Sequence, residues 1–147
     1  DVQKMTAGSG IIHSEFNPSD KEPVHFLQIW IIPNMLDLRP SYEQKAFNRK
    51  SMTNRLTLLV SPDGHNGSLE IHQDAEIWQI LLEENKDTEF AINHSRKIWI
   101  QVAEGSVSTN EHLLVAGDCL AVSDEEGIIR LRGIDKLSNI IIFNLRA

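Results

Sequence analysis

The residues best suited to chemistry lie near the start of the chain, where one residue separates His13 from Glu15. In an extended strand alternate side chains share a face, so the imidazole and the carboxylate would point the same way. Such side chains are ligands for iron, manganese, nickel or zinc. Because a catalytic metal usually has about three protein ligands, the pair predicts a metal site that this chain supplies only in part.

The same spacing has a plainer interpretation, since polar residues two apart are typical of the solvated face of an antiparallel strand. Its surroundings favour the metal interpretation. Gly8 and Gly10 lie just upstream, where they would permit a tight approach of the backbone, and Asn17 follows four residues after His13.

Composition and charge restrict the classes of protein to consider. The 147 residues suffice for a domain with a real core, and 41% of them are hydrophobic. The net charge of -7 argues against direct nucleic-acid binding, which needs a basic surface. No apolar run approaches the roughly 20 residues that span a bilayer, so we expect no membrane partner. A single cysteine, Cys119, excludes an internal disulfide and favours a reducing compartment, so we expect a cytoplasmic protein. Its apolar neighbours predict a buried thiol.

The elements that would position the pair are β-strands. Short β-type segments alternate with Gly, Asn and Asp turns, which is typical of an antiparallel sandwich or barrel. The predicted strands are residues 24–32, 56–60, 69–73, 77–82, 89–92, 97–102, 113–116, 120–122, 128–131 and 139–145. The polar residues 34–55 are predicted to be a linker, with a short helical turn starting at Pro40.

The first residues already have the composition of a strand, and the chain does not begin with Met. We therefore expect an N-terminally truncated chain. Residues 1–33 are predicted to be the last strands of an N-terminal barrel, and residues 56–147 a C-terminal barrel.

The spacing Gly8-x-Gly10-x-x-His13-x-x-x-Asn17 resembles the second conserved motif of cupins, small β-barrels that hold a metal inside. That motif usually carries Pro where Gly8 stands, and its His binds the metal. A more specific resemblance, to the pirin family and particularly its bacterial members, covers essentially the whole chain. It rests on residues 1–8, 13–18 and 22–31, Tyr42-Glu43-Gln44, residues 67–74 and Trp99-Ile100-Gln101-Val102.

The resemblance implies a bicupin, two antiparallel barrels in tandem, with one metal in the N-terminal barrel held by three His and one Glu. His13 and Glu15 match one of those His and the Glu, and the remaining ligands are expected upstream of Asp1. Iron is the first expectation for the metal, with manganese, nickel, zinc and copper as alternatives. With two ligands, this chain is expected to bind metal weakly or not at all.

The resemblance also implies a function, because several pirins are described as quercetin 2,3-dioxygenases. The intact protein would act on a flavonol-like molecule and dioxygen, with Glu15 as the catalytic proton acceptor, and this fragment alone would be inactive. The alternative is a noncatalytic interaction or redox-sensing protein that regulates a partner. A further expected partner is the missing N-terminal half or a second copy of the chain.

The cupin motifs also test the second barrel for a metal. With Gly105 ending the first motif, the Glu position holds Ile98, and the His positions hold Ile92 and His94. In the second motif, anchored at Gly117, the Pro, Gly and His positions hold Ser123, Glu125 and Ile128. One histidine cannot fix a metal, so the C-terminal barrel is predicted to be metal-free.

Overall fold

The computed structural model describes residues 1–109 and 112–147, which are almost entirely β-structure. Within these residues the strands are β1 (Val2–Thr6), β2 (Ser41–Lys45), β3 (Thr57–Ser61), β4 (Leu69–Glu70), β5 (Ala75–Glu83), β6 (Asp87–Ile92), β7 (Arg96–Glu104), β8 (Ser106–Ser108), β9 (Leu113–Val115), β10 (Cys119–Val122), β11 (Gly127–Gly133) and β12 (Leu137–Arg146). Two 3-10 turns occupy Arg49–Met52 and His65–Gly67. No helix among the described residues is long and apolar enough to cross a membrane.

Two sheets form the C-terminal part of the molecule. Six strands pair in the order β10-β7-β12-β5-β3-β4, and four pair in the order β6-β11-β8-β9. One apolar core draws on both sheets, because alternate residues of each strand turn to the same side. Its fully buried members include Ile80 of β5, Ile100 of β7, Leu131 of β11 and Ile142 of β12. This is the predicted antiparallel cupin-type architecture, from close to residue 56 to the C-terminus.

The opposite face of the six-stranded sheet carries a second apolar cluster. Ile77, Leu81 and Ile141 alternate with residues of the first core along β5 and β12. Met52 from the 3-10 turn is buried in this cluster, and Val2 of β1 packs against it. The N-terminal residues are thereby attached to the C-terminal sheets.

A buried serine joins the two sheets. The Ser138 hydroxyl, at the start of β12, donates to the carbonyl oxygen of Ser106 at 2.7 Å and accepts from its N–H at 3.1 Å. Ser138 is fully buried. The hydroxyl satisfies backbone groups of β8 and so holds the four-stranded sheet against the six-stranded one.

The structure corrects two predictions in the N-terminal third. Residues 24–32 are not a strand: they pair with no described strand, and Trp30 is 88% exposed. β-type side chains cannot by themselves form a strand, because the ladder needs a neighbour to accept its hydrogen bonds. Of residues 1–33, only β1 is therefore a regular strand.

The predicted linker contains more structure than its polar composition indicated. Pro40 starts no helical turn; it precedes β2, where proline is tolerated because the first residue of a strand need not donate to the ladder. The 3-10 turn comes later, at Arg49–Met52. Cys119, predicted to be buried, is exposed on the edge strand β10.

Candidate functional site

A two-stranded ribbon forms one wall of the candidate site. β1 and β2 are antiparallel, with Met5 directly opposite Tyr42 and Gln3 directly opposite Gln44. Residues two apart along a strand share a face, so these four side chains lie on the same face of the ribbon.

The other face of the ribbon is attached to the rest of the molecule. Val2 packs against the second apolar cluster, and Lys4 pairs with Glu43 across the strands at 3.9 Å. Lys45 donates from Nζ to the Gly67 carbonyl oxygen and also lies over the Phe47 ring. These contacts fix which face of the ribbon is left for a ligand.

The segment that carries His13 and Glu15 follows a tight turn. Gly8 has a left-handed backbone with φ of 50°, and the Gly10 N–H donates to the Ala7 carbonyl oxygen at 2.8 Å. A Cβ added to Gly8 would overlap the Leu38 carbonyl oxygen. Only glycine fits here, because the backbone both turns and passes close to the residues that lead into β2.

His13 and Glu15 line a single groove together with the ribbon face. The groove has a volume of about 460 Å³ and is open to solvent. Its lining residues are Gln3, Met5, Ile11, Ile12, His13, Ser14, Glu15, Pro40, Ser41 and Tyr42. The strand expected around His13 is absent, since residues 11–15 have no regular secondary structure. The tight turn and the ribbon, rather than strand alternation, bring the two side chains to the same groove.

The side chains of His13 and Glu15 are of the types that bind metals, but two ligands are too few to complete a metal site. An imidazole nitrogen and a carboxylate suit iron, nickel, manganese or zinc. Both side chains are exposed, and neither takes part in any hydrogen bond or ion pair described for residues 1–109 and 112–147. Within those residues, no group of three or more His, Cys, Asp or Glu side chains is arranged to hold a metal ion.

The two C-terminal sheets carry different chemistry at the positions that the cupin motifs would assign to metal ligands. Ile98 is buried in the first core and Ile92 packs against it, so aliphatic side chains occupy two ligand-equivalent positions. His94 lies at the surface, where Nε2 is 3.4 Å from Glu126 and Nδ1 is 3.1 Å from the Asp124 carbonyl oxygen.

Polar residues at one end of this core are paired with one another. Arg96 donates from Nη1 to Asp74 Oδ1 at 2.6 Å and from Nε to Asn144 Oδ1 at 2.8 Å. Glu76 accepts from both Asn144 and Trp78 at 3.0 Å. Their hydrogen bonds join β5, β7 and β12, which is a structural role.

A second histidine–carboxylate pair belongs to a turn. Asp63 Oδ1 accepts from the Ser61 hydroxyl and from the His65 backbone N–H, and it lies 2.6 Å from His65 Nδ1. The hydrogen bond with the His65 side chain lowers the pKa of Asp63 below its usual value. The carboxylate lies between the serine and the histidine and the serine is fully buried, so the arrangement does not activate a nucleophile.

Tyr42 and Met5 are groove residues that the sequence analysis did not identify as functional. Tyr42 lies in the predicted linker, and Ser41-Tyr42-Glu43-Gln44-Lys45 gives no strand signal, because Tyr42 is its one apolar residue and no alternation is present. What the sequence could not supply is the partner strand, β1, which lies about 40 residues away along the chain.

Known proteins resemble this chain over almost all its length. Residues 58–145 match the family model described as the quercetinase C-terminal cupin domain, and residues 1–31 match the one described as pirin. The chain is 38% identical over 145 residues to quercetin 2,3-dioxygenase of Escherichia coli strain K12. That match covers 99% of this chain and 61% of the relative, so the chain spans about three fifths of that relative's length.

Solved structures extend the comparison to the fold. The crystal structure of the bacterial pirin YhhW from Escherichia coli, in complex with nickel(II), has a TM-score of 0.86 and 38% identity. The match covers 98% of this chain and 60% of the YhhW chain. The Escherichia coli protein YhaK has a similar fold, with a TM-score of 0.56 at 21% identity, over 76% of this chain and 48% of that one. The cupin-type fold predicted from the sequence is confirmed.

Proposed function

Because this chain belongs to the pirin family, we propose that it is part of a metal-dependent dioxygenase that acts on flavonols such as quercetin. The observation that carries the proposal is the groove in which His13 and Glu15 lie beside an apolar and aromatic wall. A flat polyphenol needs such a wall for its rings and polar groups for its hydroxyls.

In this proposal, His13 holds the metal through a ring nitrogen, and Glu15 is both a ligand and a base. The remaining ligands come from parts of a longer protein outside these 147 residues. The divalent metal, when bound, supplies Lewis acidity that lowers the pKa of a substrate hydroxyl. The nickel(II) complex of the bacterial pirin YhhW supports a divalent ion, and we propose iron as the physiological metal.

Glu15 is the group that takes the proton from the substrate hydroxyl. Its carboxylate is exposed on the groove, and it forms no hydrogen bond among those described for the chain that would compete for its oxygens. It can therefore accept the proton of the flavonol 3-hydroxyl while His13 stays a ligand. The substrate is thereby held as its anion for reaction with dioxygen.

The proposal assigns different roles to the parts of the chain. Residues 1–33 belong to the metal-binding barrel, and residues 56–147 form a metal-free barrel with a structural role. Residues 34–55 join the two, and within them β2 pairs with β1 and lines the groove. The site of action is the cytoplasm. The packing of Val2 and Met52 against the six-stranded sheet supports this structural role, because it anchors the ribbon that lines the groove.

The test compares the longer natural protein that contains this chain with the 147-residue chain alone. Each is loaded with iron, nickel, manganese, zinc or copper, its metal content is measured, and quercetin is added with dioxygen while absorbance and oxygen uptake are followed. We expect stoichiometric metal and turnover in the longer protein, and little of either in the short chain. A fully metal-loaded longer protein that consumes neither quercetin nor dioxygen would refute the proposal and favour the noncatalytic, redox-sensing alternative.

A further inference from the structure

Tyr42 stands out among the groove residues because its orientation is fixed by two hydrogen bonds in series. The Tyr42 hydroxyl donates to Gln44 Oε1 at 2.7 Å, and Gln44 Nε2 donates to Asp1 Oδ2 at 3.3 Å. Gln44 lies two residues along β2, on the same face of the ribbon. These hydrogen bonds orient the Tyr42 side chain, although the residue is 57% exposed.

This arrangement determines what the hydroxyl can still do. A phenol has one proton to donate and lone pairs that accept. Since the proton is directed to Gln44, the oxygen of Tyr42, a residue that lines the groove, is left with its capacity to accept. A ligand that meets it favourably must bring a hydroxyl or N–H donor.

The ring and its neighbour supply the matching surface. Met5 lies directly opposite Tyr42 across the ribbon, so its thioether and the tyrosine ring are adjacent in one wall. A flexible thioether beside an aromatic ring suits the face of a planar aromatic ligand. His13 and Glu15 line the same groove, which places this wall beside the proposed reaction site.

We propose that Tyr42 is a specificity-determining residue, which accepts a hydrogen bond from a flavonol hydroxyl other than the 3-hydroxyl while its ring packs with Met5 against the flavonol. This inference rests on the proposed function for the identity of the substrate. It adds that the protein selects polyhydroxylated flavonols over flavonols that carry only the 3-hydroxyl.

The experiment measures binding separately from turnover. Quercetin and 3-hydroxyflavone are titrated without oxygen into the metal-loaded longer protein and into its Tyr42→Phe, Tyr42→Ala and Trp99→Phe variants. Trp99→Phe is the matched control. Like Tyr42, Trp99 is an exposed aromatic residue that donates a hydrogen bond to a glutamine two residues along its strand, but it lies outside the groove. Metal content is determined for every variant, and turnover is then measured with oxygen.

We expect Tyr42→Phe to raise the Kd of quercetin about five- to tenfold, the effect of losing one hydrogen bond, and to leave that of 3-hydroxyflavone unchanged. Tyr42→Ala should weaken both flavonols, and Trp99→Phe neither. All four proteins should carry the same metal.

The inference would be overturned by equal effects of Tyr42→Phe on the two flavonols, by native-like binding in both Tyr42 variants, or by loss of metal in Tyr42→Phe. Failure of the proposed function is recognised from the native protein rather than from the variants. A native protein that binds quercetin without oxygen but never turns it over refutes the dioxygenase alone. A native protein that binds neither flavonol refutes both.

Discussion

His13 and Glu15 share a groove, but an imidazole and a carboxylate differ in what they can do as ligand and as base. A neutral imidazole offers one ring nitrogen to a metal, and its replacement by alanine leaves no donor. A carboxylate offers two oxygens and also accepts a proton. Changing Glu15 to glutamine keeps an oxygen donor while removing most of the basicity, so it separates metal binding from proton transfer.

In the longer protein we expect His13→Ala to lose most of its metal and its turnover. Glu15→Gln should keep more metal than His13→Ala and still lose activity, because an amide oxygen is a ligand but a poor base. Metal analysis and quercetin turnover on the two variants measure this difference directly.

His94→Ala is the control for that pair. His94 lies outside the groove and interacts with Glu126 and the Asp124 carbonyl oxygen, so its loss should alter neither metal content nor turnover. Full activity in both His13→Ala and Glu15→Gln would contradict the assignment, and loss of metal in His94→Ala would move the site to the C-terminal sheets.

At the scale of elements, the turn at Gly8 positions the segment that carries His13 and Glu15 beside the ribbon. An alanine at Gly8 would combine a left-handed backbone with a clash against the Leu38 carbonyl oxygen. At Gly10, φ is 131° but a Cβ would meet nothing within 4 Å. Gly8→Ala therefore adds steric overlap to backbone strain, whereas Gly10→Ala adds strain alone.

We expect the amides of β1 and β2 to exchange with solvent faster in Gly8→Ala than in Gly10→Ala. A local loss of about 1.4 kcal/mol corresponds to roughly tenfold faster exchange. Hydrogen exchange resolved to the ribbon is the measurement, with β7 amides as an internal reference. Equal exchange in the two variants would mean that the contact with Leu38 does not hold the turn.

A second element-scale prediction concerns the charge pairs between β6 and β11. Arg132 forms two hydrogen bonds to Asp87, at 2.8 and 2.9 Å, and Arg130 pairs with Glu89 at 2.8 Å. The hydrogen bond and charge of Arg132 lower the pKa of Asp87 below 3.8. A carboxyl whose folded pKa is lowered stabilises the protein above its unfolded pKa, and that contribution is lost as the pH falls through the folded pKa.

Asp87→Asn should therefore lower the denaturant midpoint of unfolding at neutral pH. The difference in midpoint between the variant and the native chain should shrink as pH falls below about 4. Because the pair is exposed, the effect should also decrease at high salt. Denaturant unfolding across pH measures it, with Asp20→Asn, in the exposed N-terminal segment, as the control. A difference that persists unchanged into acid would rule out the charge contribution.

At the scale of the whole molecule, the 147 residues leave an extended apolar surface uncovered. Large side chains of residues 11–36 are exposed, including Ile12, Phe16, Trp30, Ile32 and Leu36. Large exposed apolar patches are rare on soluble monomers and often mark interaction surfaces. This surface suits a second copy of the chain or an N-terminal half of the protein supplied separately.

We expect the isolated chain to sediment as a dimer or larger species, and Trp30→Ser with Ile32→Ser to shift it toward monomer because the change removes two of the most exposed side chains. Ile128→Ser, on the four-stranded sheet, removes an exposed apolar side chain elsewhere and should leave the distribution unchanged. A monomer at every concentration, with nothing else bound, would contradict this expectation.

The strands of the C-terminal part were predictable because their information is local. Residues 77–82 and 139–145 are rich in aliphatic side chains, several of them β-branched, and turn residues precede both segments. Both lie within real strands, β5 and β12. β8 was not predicted, since Ser106–Ser108 is short and polar and forms a strand through pairing with β9 and β11. The contrast reflects whether a strand depends on its own side chains or on its neighbours.

For the candidate site, residue type and spacing were enough to predict His13 and Glu15 as metal ligands, because few side chains bind metals and the glycines upstream restrict the backbone; that assignment stays a prediction. Tertiary structure decided the rest. It placed Tyr42 and Met5 opposite each other, because register joins residues distant in sequence. It also left residues 24–32 unpaired despite their strong β propensity, because a strand exists only where a neighbour completes its hydrogen bonds.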